Sequence, residues 1–192
     1  MTVVSNSSQF ESAPSPWVLR FAPMVARGGR VLDVACGTGR HARLFASLGH
    51  AVNAVDRDVS SVGKLPALVQ MLQADIETGS WPYAGQVFAG VVVTNYLYRP
   101  LMATLIASVA PGGVFIYETF AAGNEQYGRP SRPDFLLQPG ELLETVRGQL
   151  QVRAYENTYV DLPKPAMVQR IAAVRPATFD TAQSRGRVLD VS

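Results

Sequence analysis

Short runs of valine, leucine and isoleucine recur along this chain, and stretches with helical spacing separate them. One run, RVLDVAC at 30–36, leads through a glycine turn into GRHARLFASLG at 39–49, and the next run, HAVNAVDRD, follows at 50–58. Near-continuous apolar strands are typical of sheets buried on both faces, and strands separated by helices usually pair in parallel. We therefore expect an α/β domain built on a doubly wound, mostly parallel sheet.

The rest of the chain continues this alternation. The segment 60–69 is interrupted by Gly63 and Pro66, so it has room for at most a turn or two of helix. The last two apolar runs, 150–160 and 166–175, are joined by a proline-containing turn, which predicts a closing antiparallel pair. The other predicted elements are strands at 69–77, 85–98 and 113–120, and helices at 16–26, 100–110 and 139–149.

We expect one domain between two less structured ends. Residues 1–16 are rich in serine, asparagine and proline and are expected to be loose, whereas 177–192 resemble a tail. The single domain between them, 17–176, is long enough to bury a sizeable core. Within it, the segment 121–139 is too long for a plain connection, so we expect a lid-like insertion there.

Composition argues against several classes of protein. The formal net charge of +2 is too small to indicate a nucleic-acid-binding surface. The single cysteine forms no intrachain disulfide, and with only two histidines a Cys/His zinc site is not expected. The first ten residues do not resemble a signal peptide, and no apolar run approaches the ~18 residues of a membrane span. We expect a cytoplasmic protein without a metal, nucleic-acid or membrane partner; the sequence does not indicate its oligomeric state.

A glycine turn follows the first predicted strand. Its sequence, GTGRHA at 37–42, fits the G-x-G-x-x-G/A fingerprint of dinucleotide-binding proteins. Asp56 ends the second strand 19 residues after Gly37, where an acid can accept hydrogen bonds from both hydroxyls of a ribose. These residues indicate a nucleoside cofactor, and an NAD(P)-dependent oxidoreductase satisfies the pattern at this point.

Three further features argue against NAD. Asp33, four residues before Gly37, would face the ligand, where it disfavours a pyrophosphate and suits a cationic amino-acid group. Asp75 ends the third strand, where it can accept a hydrogen bond from an adenine amino group. The closing antiparallel pair replaces the second parallel half of an NAD domain.

The motifs resemble those of class I S-adenosylmethionine-dependent methyltransferases. VLDVACGTG, AVDRD, QADIE, VVVTNYLY and APGGVFIYE are similar to that family's successive motifs, in order, and the resemblance covers about residues 17–175. The most similar subgroup is the small-molecule type that includes tellurite-resistance and thiopurine methyltransferases. The resemblance implies a Rossmann-like sheet of seven strands with the last one antiparallel, and methyl transfer by in-line displacement at the sulfonium of S-adenosylmethionine.

The resemblance also implies roles for individual residues. Asp33 would lie near the methionine ammonium, Asp56 would bind the ribose hydroxyls, and Asp75 would bind the adenine amine. Asn95 and Tyr96 would line the methionine side next to the sulfonium. The other residues expected at the cofactor are Ala35, Cys36, Gly37, Thr38 and Gly39 in the turn, Arg57 after the second strand, and Ala74 and Ile76 beside the adenine.

The acceptor is less constrained than the cofactor. Tyr96, Tyr98 and Glu118 follow or end the fourth and fifth strands, so they are candidates for a general base or for substrate contact, although the tyrosines could equally pack in the core. Tyr127 and Arg129 in the insertion are further substrate candidates, and Arg129 could select an anionic substrate or form a surface ion pair. Asn-Tyr-Leu-Tyr replaces the Asp/Asn-Pro-Pro-aromatic motif of amide-type relatives, which argues against a nucleobase acceptor. We expect a small-molecule acceptor; a non-catalytic cofactor-binding module is the remaining alternative.

Overall fold

The computed structural model describes residues 13–177; residues 1–12 of the expected loose segment 1–16 and residues 178–192 of the expected tail 177–192 lie outside this range. A seven-stranded sheet in the order β3-β2-β1-β4-β5-β7-β6 forms its centre. The strands are β1 (Val31–Val34), β2 (Val52–Asp56), β3 (Val69–Gln73), β4 (Phe88–Thr94), β5 (Val109–Phe120), β6 (Gln151–Val160) and β7 (Ala166–Val174).

The sheet is parallel except for one strand. Strands β3, β2, β1, β4 and β5 pair in parallel, with Val31 of β1 between Val52 of β2 and Gly90 of β4. Strand β7 inserts antiparallel between β5 and β6, so β6 again runs in the direction of the first five. This confirms the predicted fold class, a seven-stranded, mostly parallel sheet with an antiparallel C-terminal hairpin.

Helices cover both faces of the sheet. Trp17, Val18 and Phe45 pack on one face, whereas Leu105 and Leu142 pack on the other. The helices are α1 (Pro16–Phe21), α2 (Arg40–Ser47), α3 (Met102–Ala107) and α4 (Glu141–Val146). Helices α1 and α2 therefore cover the first face, and α3 and α4 cover the second. The core is therefore a three-layer sandwich, as the doubly wound pattern requires.

The β3 edge of the sheet is thinly covered. Among the described residues, no helix lies between β2 and β3 or between β3 and β4. Gly63 adopts a φ of +64° and Pro66 follows three residues later, so the segment after β2 turns without completing a helix. Strand β3 consequently has no fully buried residue. None of the helices in residues 13–177 is long and apolar enough to cross a membrane.

The N-terminal helix begins at Pro16, the predicted start, and ends at Phe21, before its predicted end. Ser15 is 5% exposed, its hydroxyl accepts a hydrogen bond from the Trp17 N–H at 3.1 Å, and Pro16 occupies the first helical position. A serine cap followed by proline is a common helix start. Ser15 was expected in the loose segment 1–16, but its N–H donates to His41 and its hydroxyl donates to Glu118, and these long-range hydrogen bonds anchor it to the folded domain.

The insertion 121–139 is folded back onto the domain. It contains two 3₁₀ turns, Asn124–Gln126 and Pro133–Phe135, and it closes through a bridge between Ala121 and Leu137. Arg99 fixes its second half by donating to the carbonyls of Asp134 and Leu136 at 2.8 and 2.9 Å. The insertion thereby presents a defined surface to the carboxyl ends of β4 and β5.

Candidate active site

A continuous cleft runs over the carboxyl ends of the strands, where ligands bind in open parallel sheets. It has three compartments, and Asn95 and Phe120 line all of them. We call them the β2–β3 compartment (about 510 Å³), the glycine-turn compartment (about 510 Å³) and the hairpin chamber (about 350 Å³), which lies against the β6–β7 turn. Expected cofactor residues in the β2–β3 compartment are Ala35, Asp56, Arg57, Asp75, Ile76, Asn95 and Tyr96; those in the glycine-turn compartment are Ala35, Cys36, Gly37, Thr38 and Asn95.

Backbone conformation at the cleft is unusual. Ala35 and Asn95, with φ of +51° and +55°, are the two non-glycine residues with positive φ in the described part of the chain. They directly follow β1 and β4, which are neighbours in the sheet. Such conformations cost energy for residues with a side chain and concentrate at functional sites. Gly37 also has positive φ, and a Cβ added to it would meet no atom within 4 Å, so its backbone is open to a ligand.

The carboxylate of Asp56 is fixed at the end of β2. Its Oδ2 accepts a hydrogen bond from the Gly37 N–H at 2.8 Å, and its Oδ1 accepts one from the Asp58 N–H at 3.0 Å. Each oxygen keeps a second lone pair for hydrogen bonding. Asp56 therefore ties the glycine turn to β2 while it can still accept hydrogen bonds from a ligand's vicinal hydroxyls.

The carboxyl group of Asp33 is buried beneath the turn. The residue is 1% exposed, and its Oδ2 has no hydrogen-bond partner in the described part of the chain. Burial raises the pKa of this carboxyl from 3.8 to about 7, although the Ala42 N–H and the charge of Arg40 act in the opposite direction. A buried acceptor without a partner is rare and costly, which makes Asp33 a candidate for binding a cationic ligand group.

Asp75 is engaged by its own loop. Its Oδ1 accepts from the Glu77 and Thr78 N–H groups at 2.9 and 3.2 Å, and its Oδ2 accepts from the Thr78 hydroxyl at 2.7 Å. These bonds, that of the hydroxyl foremost, hold the pKa of Asp75 below its usual range. Asp75 and buried Ile76 line the β2–β3 compartment, whereas Ala74 lies beside it and donates its N–H to the Asp56 carbonyl at 2.9 Å.

The tyrosines after β4 differ in their surroundings. The Tyr96 hydroxyl is buried without a hydrogen-bond partner among the described residues, and burial raises its pKa well above the usual range. The Tyr98 hydroxyl donates to the Glu77 carbonyl at 3.1 Å, on the rim beside the β2–β3 compartment. Tyr96 lines that compartment, but a hydroxyl with a raised pKa is a poor proton acceptor at neutral pH.

Glu118 belongs to a network that anchors the N-terminal segment. Its Oε1 accepts from the Ser15 hydroxyl at 2.8 Å, and its Oε2 pairs with Arg170 at 3.2 Å. Arg170 also donates to Glu156 at 2.6 and 2.8 Å and stacks 4.9 Å from the Trp17 ring centroid. Glu118 lines the hairpin chamber, but both of its oxygens are engaged, so its position fits a structural support better than a free base.

The insertion meets the cleft through residues other than those expected. Pro130 and Phe135 line the β2–β3 compartment. Tyr127 instead packs against Tyr159 of β6, with ring centroids 5.2 Å apart, and neither Tyr127 nor Arg129 lines one of the three compartments. Substrate contact by these two residues therefore stays a prediction that would need the insertion to move.

The remaining reactive side chains have structural surroundings. Burial raises the pKa of the Cys36 thiol beyond its usual range, so the thiolate is disfavoured. Burial lowers the pKa of His41 to about 3, and its neutral Nε2 accepts from the Ser15 N–H at 3.0 Å. Among residues 13–177, no group of three or more His, Cys, Asp or Glu side chains could hold a metal ion.

Sequence reasoning missed several cleft residues. Phe120 lines all three compartments, and its position at the end of the fifth predicted strand was the available signal. Ser15 and Lys164 line the hairpin chamber, but they come from the N-terminal segment and the β6–β7 turn. No local pattern predicts that these distant segments meet over the cleft.

Comparison with known proteins gives one family. The model of the family described as "Methyltransferase domain" matches residues 7–149. No curated protein matches the chain.

Solved structures of methyltransferases share the fold at low identity. The structure of TehB from Haemophilus influenzae superposes with a TM-score of 0.72 and 16% identity, covering 88% of this chain and 65% of that chain, so this chain spans just under two thirds of its length. A TehB-like SAM-dependent methyltransferase from Corynebacterium glutamicum gives 0.60 and 17%, covering 83% and 86% of the two chains. The glycopeptide N-methyltransferase MtfA complexed with S-adenosyl-L-homocysteine gives 0.58 and 21%, covering 83% and 88%.

Proposed function

The chain belongs to the methyltransferase-domain family, and we propose that it transfers the methyl group of S-adenosylmethionine to a small-molecule acceptor bound in the hairpin chamber. The observation that carries this proposal is the set of polar groups along one cleft. Asp56 and Asp75 line the β2–β3 compartment, and Asp33 lies buried beneath the adjoining glycine turn, so the three follow the order adenine, ribose and ammonium across the neighbouring strands β3, β2 and β1. A dinucleotide places its pyrophosphate at the turn, next to which the buried carboxyl of Asp33 is unfavourable.

Each part of the cofactor has a place in this assignment. The adenine would lie in the β2–β3 compartment beside Ile76, and the ribose hydroxyls would donate to the fixed carboxylate of Asp56. The methionine part would follow the open backbone of Gly37 in the glycine-turn compartment. Its ammonium would donate to the unpartnered Oδ2 of Asp33, directly or through a water.

The protein's contribution to the reaction is placement. Bound S-adenosylmethionine supplies an activated methyl group: the acceptor's lone pair forms a bond to the methyl carbon while the carbon–sulfur bond breaks and its electron pair stays on sulfur. Asn95 and Phe120, which line all three compartments, would align the acceptor with that methyl group. Proximity and exclusion of water account for large rate enhancements in such displacements.

The acceptor's reacting atom must already be deprotonated when it reaches the methyl group. Glu118 is held by Ser15 and Arg170, and the raised pKa of Tyr96 keeps its hydroxyl protonated. Neither group suits proton removal at neutral pH. We therefore propose acceptors whose reacting atom has a free lone pair without assistance, such as a thiolate, and not an unactivated alcohol.

A cytoplasmic location is part of the proposal. Its support comes from the sequence, because Cys36, in the glycine turn, is the sole cysteine and is free and buried. An oxidising compartment typically favours paired cysteines.

Methyl incorporation tests the proposed activity. The protein is incubated with S-adenosylmethionine labelled in the methyl group and with the small-molecule fraction of a cell extract, and labelled products are separated by chromatography. We expect a labelled small molecule with the wild type and at least a tenfold smaller yield with Asp56→Ala, which loses the ribose acceptor.

Asp58→Ala is the matched control, because Asp58 follows β2 and binds the Ser60 N–H but lines none of the three compartments. It should retain wild-type yield. S-adenosylhomocysteine binding without incorporation into any fraction would refute turnover and favour a non-catalytic binding module.

A further inference from the structure

The hairpin chamber has two unlike surfaces. One wall is apolar and comes from both strands of the β6–β7 hairpin and the turn between them, facing prolines of the N-terminal segment. Leu162 in this wall is 71% exposed, the largest exposure among the large apolar side chains of the described residues. The wall residues are Val160, Leu162, Pro163, Ala166 and Val168. Apolar surface of this kind beside a chamber is typical of a ligand-binding wall.

The charged side chains that line the chamber differ in whether they have partners within the protein. Glu118 and Arg170 neutralise each other, and Arg40 already takes part in interactions of its own. Lys164 lines both the hairpin chamber and the glycine-turn compartment, yet it makes no hydrogen bond or ion pair with any described residue. It is one of only two lysines in the sequence, the other being Lys64.

We propose that the acceptor is a small, mostly apolar molecule with a carboxylate or similar anionic group, and that Lys164 pairs with this group. This inference rests on the proposed function, since it takes the hairpin chamber as the acceptor site. Glu118, the one carboxylate in the chamber lining, is occupied by Arg170 and Ser15, so the lining keeps an excess of positive charge, to which the exposed ammonium group of Lys164 contributes. The volume of about 350 Å³ suits a molecule the size of a substituted benzoate.

Specificity would follow from the position of Lys164 on the hairpin turn. The apolar wall binds the body of the acceptor, and the anionic group turns toward Lys164 at the junction of the two compartments. The reacting atom then lies near Asn95 and Phe120, which line that junction too. Neutral analogues of the same shape keep the apolar contact but lose the ion pair, so they bind more weakly.

Matched thiol probes test this selectivity. 3-Mercaptobenzoate and 3-mercaptobenzamide have nearly the same shape and differ by the charge. Each is titrated by calorimetry into protein saturated with S-adenosylhomocysteine, which allows binding but no turnover. For a partly exposed ion pair we expect the wild type to bind the acid about fivefold more tightly than the amide. Lys164→Met should remove this difference, and Lys64→Met, the matched control, should keep it.

The readouts separate this inference from the cofactor assignment. S-adenosylhomocysteine retains the methionine carboxylate, so its affinity for Lys164→Met reports whether Lys164 serves the cofactor instead. If Lys164 serves the acceptor, this affinity should equal that of the wild type. A loss of that affinity, a preference for the acid that survives in Lys164→Met, equal binding of both probes, or binding of neither would overturn the inference. Failure of the wild type to bind S-adenosylhomocysteine at all would instead refute the proposed function.

Discussion

Replacing Asp33 by asparagine should stabilise the free protein in a strongly pH-dependent way. In the unfolded chain the carboxyl group has its ordinary pKa of 3.8, whereas burial raises the pKa to about 7 in the folded protein. Between these values the unfolded chain releases a proton that the folded chain retains, so the free energy of unfolding falls as pH rises. One pKa unit corresponds to about 1.4 kcal/mol, which gives a total cost of about 4 kcal/mol above pH 7.

The difference between two pH values isolates this effect. At pH 5 less than half of this cost is present, and at pH 8 nearly all of it is. Asp33→Asn removes the cost but adds an amide N–H that needs an acceptor, a penalty that does not change with pH. The variant's stability relative to wild type should therefore rise by about 3 kcal/mol between pH 5 and pH 8.

Urea unfolding at the two pH values measures this change in stability. The pH dependence of the affinity for S-adenosylhomocysteine tests the role of Asp33 in ligand binding. The ionised fraction of a group with a pKa of about 7 falls from about 0.9 at pH 8 to about 0.1 at pH 6, so wild-type affinity should drop about tenfold. Asp33→Asn should bind more weakly at pH 8 and lose this dependence. A relative stability that stays constant between pH 5 and pH 8, or equal pH dependence of binding in both proteins, would refute the reasoning.

Four further substitutions, one of them a control, test other parts of the structure. Trp17→Ala should lower the free energy of unfolding in urea by about 3–5 kcal/mol, since Trp17 is 2% exposed and donates to the Ile171 carbonyl. Leu19→Ala, on the exposed side of α1, should lower it by less than about 0.5 kcal/mol. Similar losses for both variants would contradict the burial of one face of α1. Tyr96→Phe removes a buried hydroxyl that makes no hydrogen bond of good geometry, so stability should change by no more than about 1 kcal/mol with methyl transfer retained. Loss of turnover at unchanged cofactor affinity would instead identify Tyr96 as a catalytic residue. Glu118→Gln should leave the pH profile of kcat unchanged, and loss of its acidic limb would show that Glu118 is the base after all.

Strands and their ends could be predicted from the sequence because both signals are local. The apolar run around Val92 marks a buried strand, Asp33 lies one residue before the end of β1, Asp56 ends β2, and Asp75 follows β3. The sheet alone brings these ends to one edge. The proposed cofactor side of the cleft could therefore be outlined from the sequence without knowledge of side-chain packing.

Elements that depend on tertiary contacts were beyond local patterns. The Ser15 hydroxyl donates to Glu118, which lies 103 residues further along the chain. The composition of residues 1–16 carries no sign of this contact, and it therefore indicated a loose end. Strand β5 begins at Val109, before its predicted start, because Val109 pairs with Phe88 across a register shift. Propensity within the Pro111–Gly113 turn favours a break, and the sheet partner overrides it.

Paired calorimetric titrations of the wild type test the central claim most directly. One sample is titrated with S-adenosylhomocysteine and the other with NADH under the same conditions at pH 8. The arrangement of Asp33 beneath the glycine turn and Asp56 beside it predicts saturable one-site binding of S-adenosylhomocysteine and no binding of NADH. Saturable NADH binding without S-adenosylhomocysteine binding would contradict the account and restore the oxidoreductase interpretation of the GTGRHA turn.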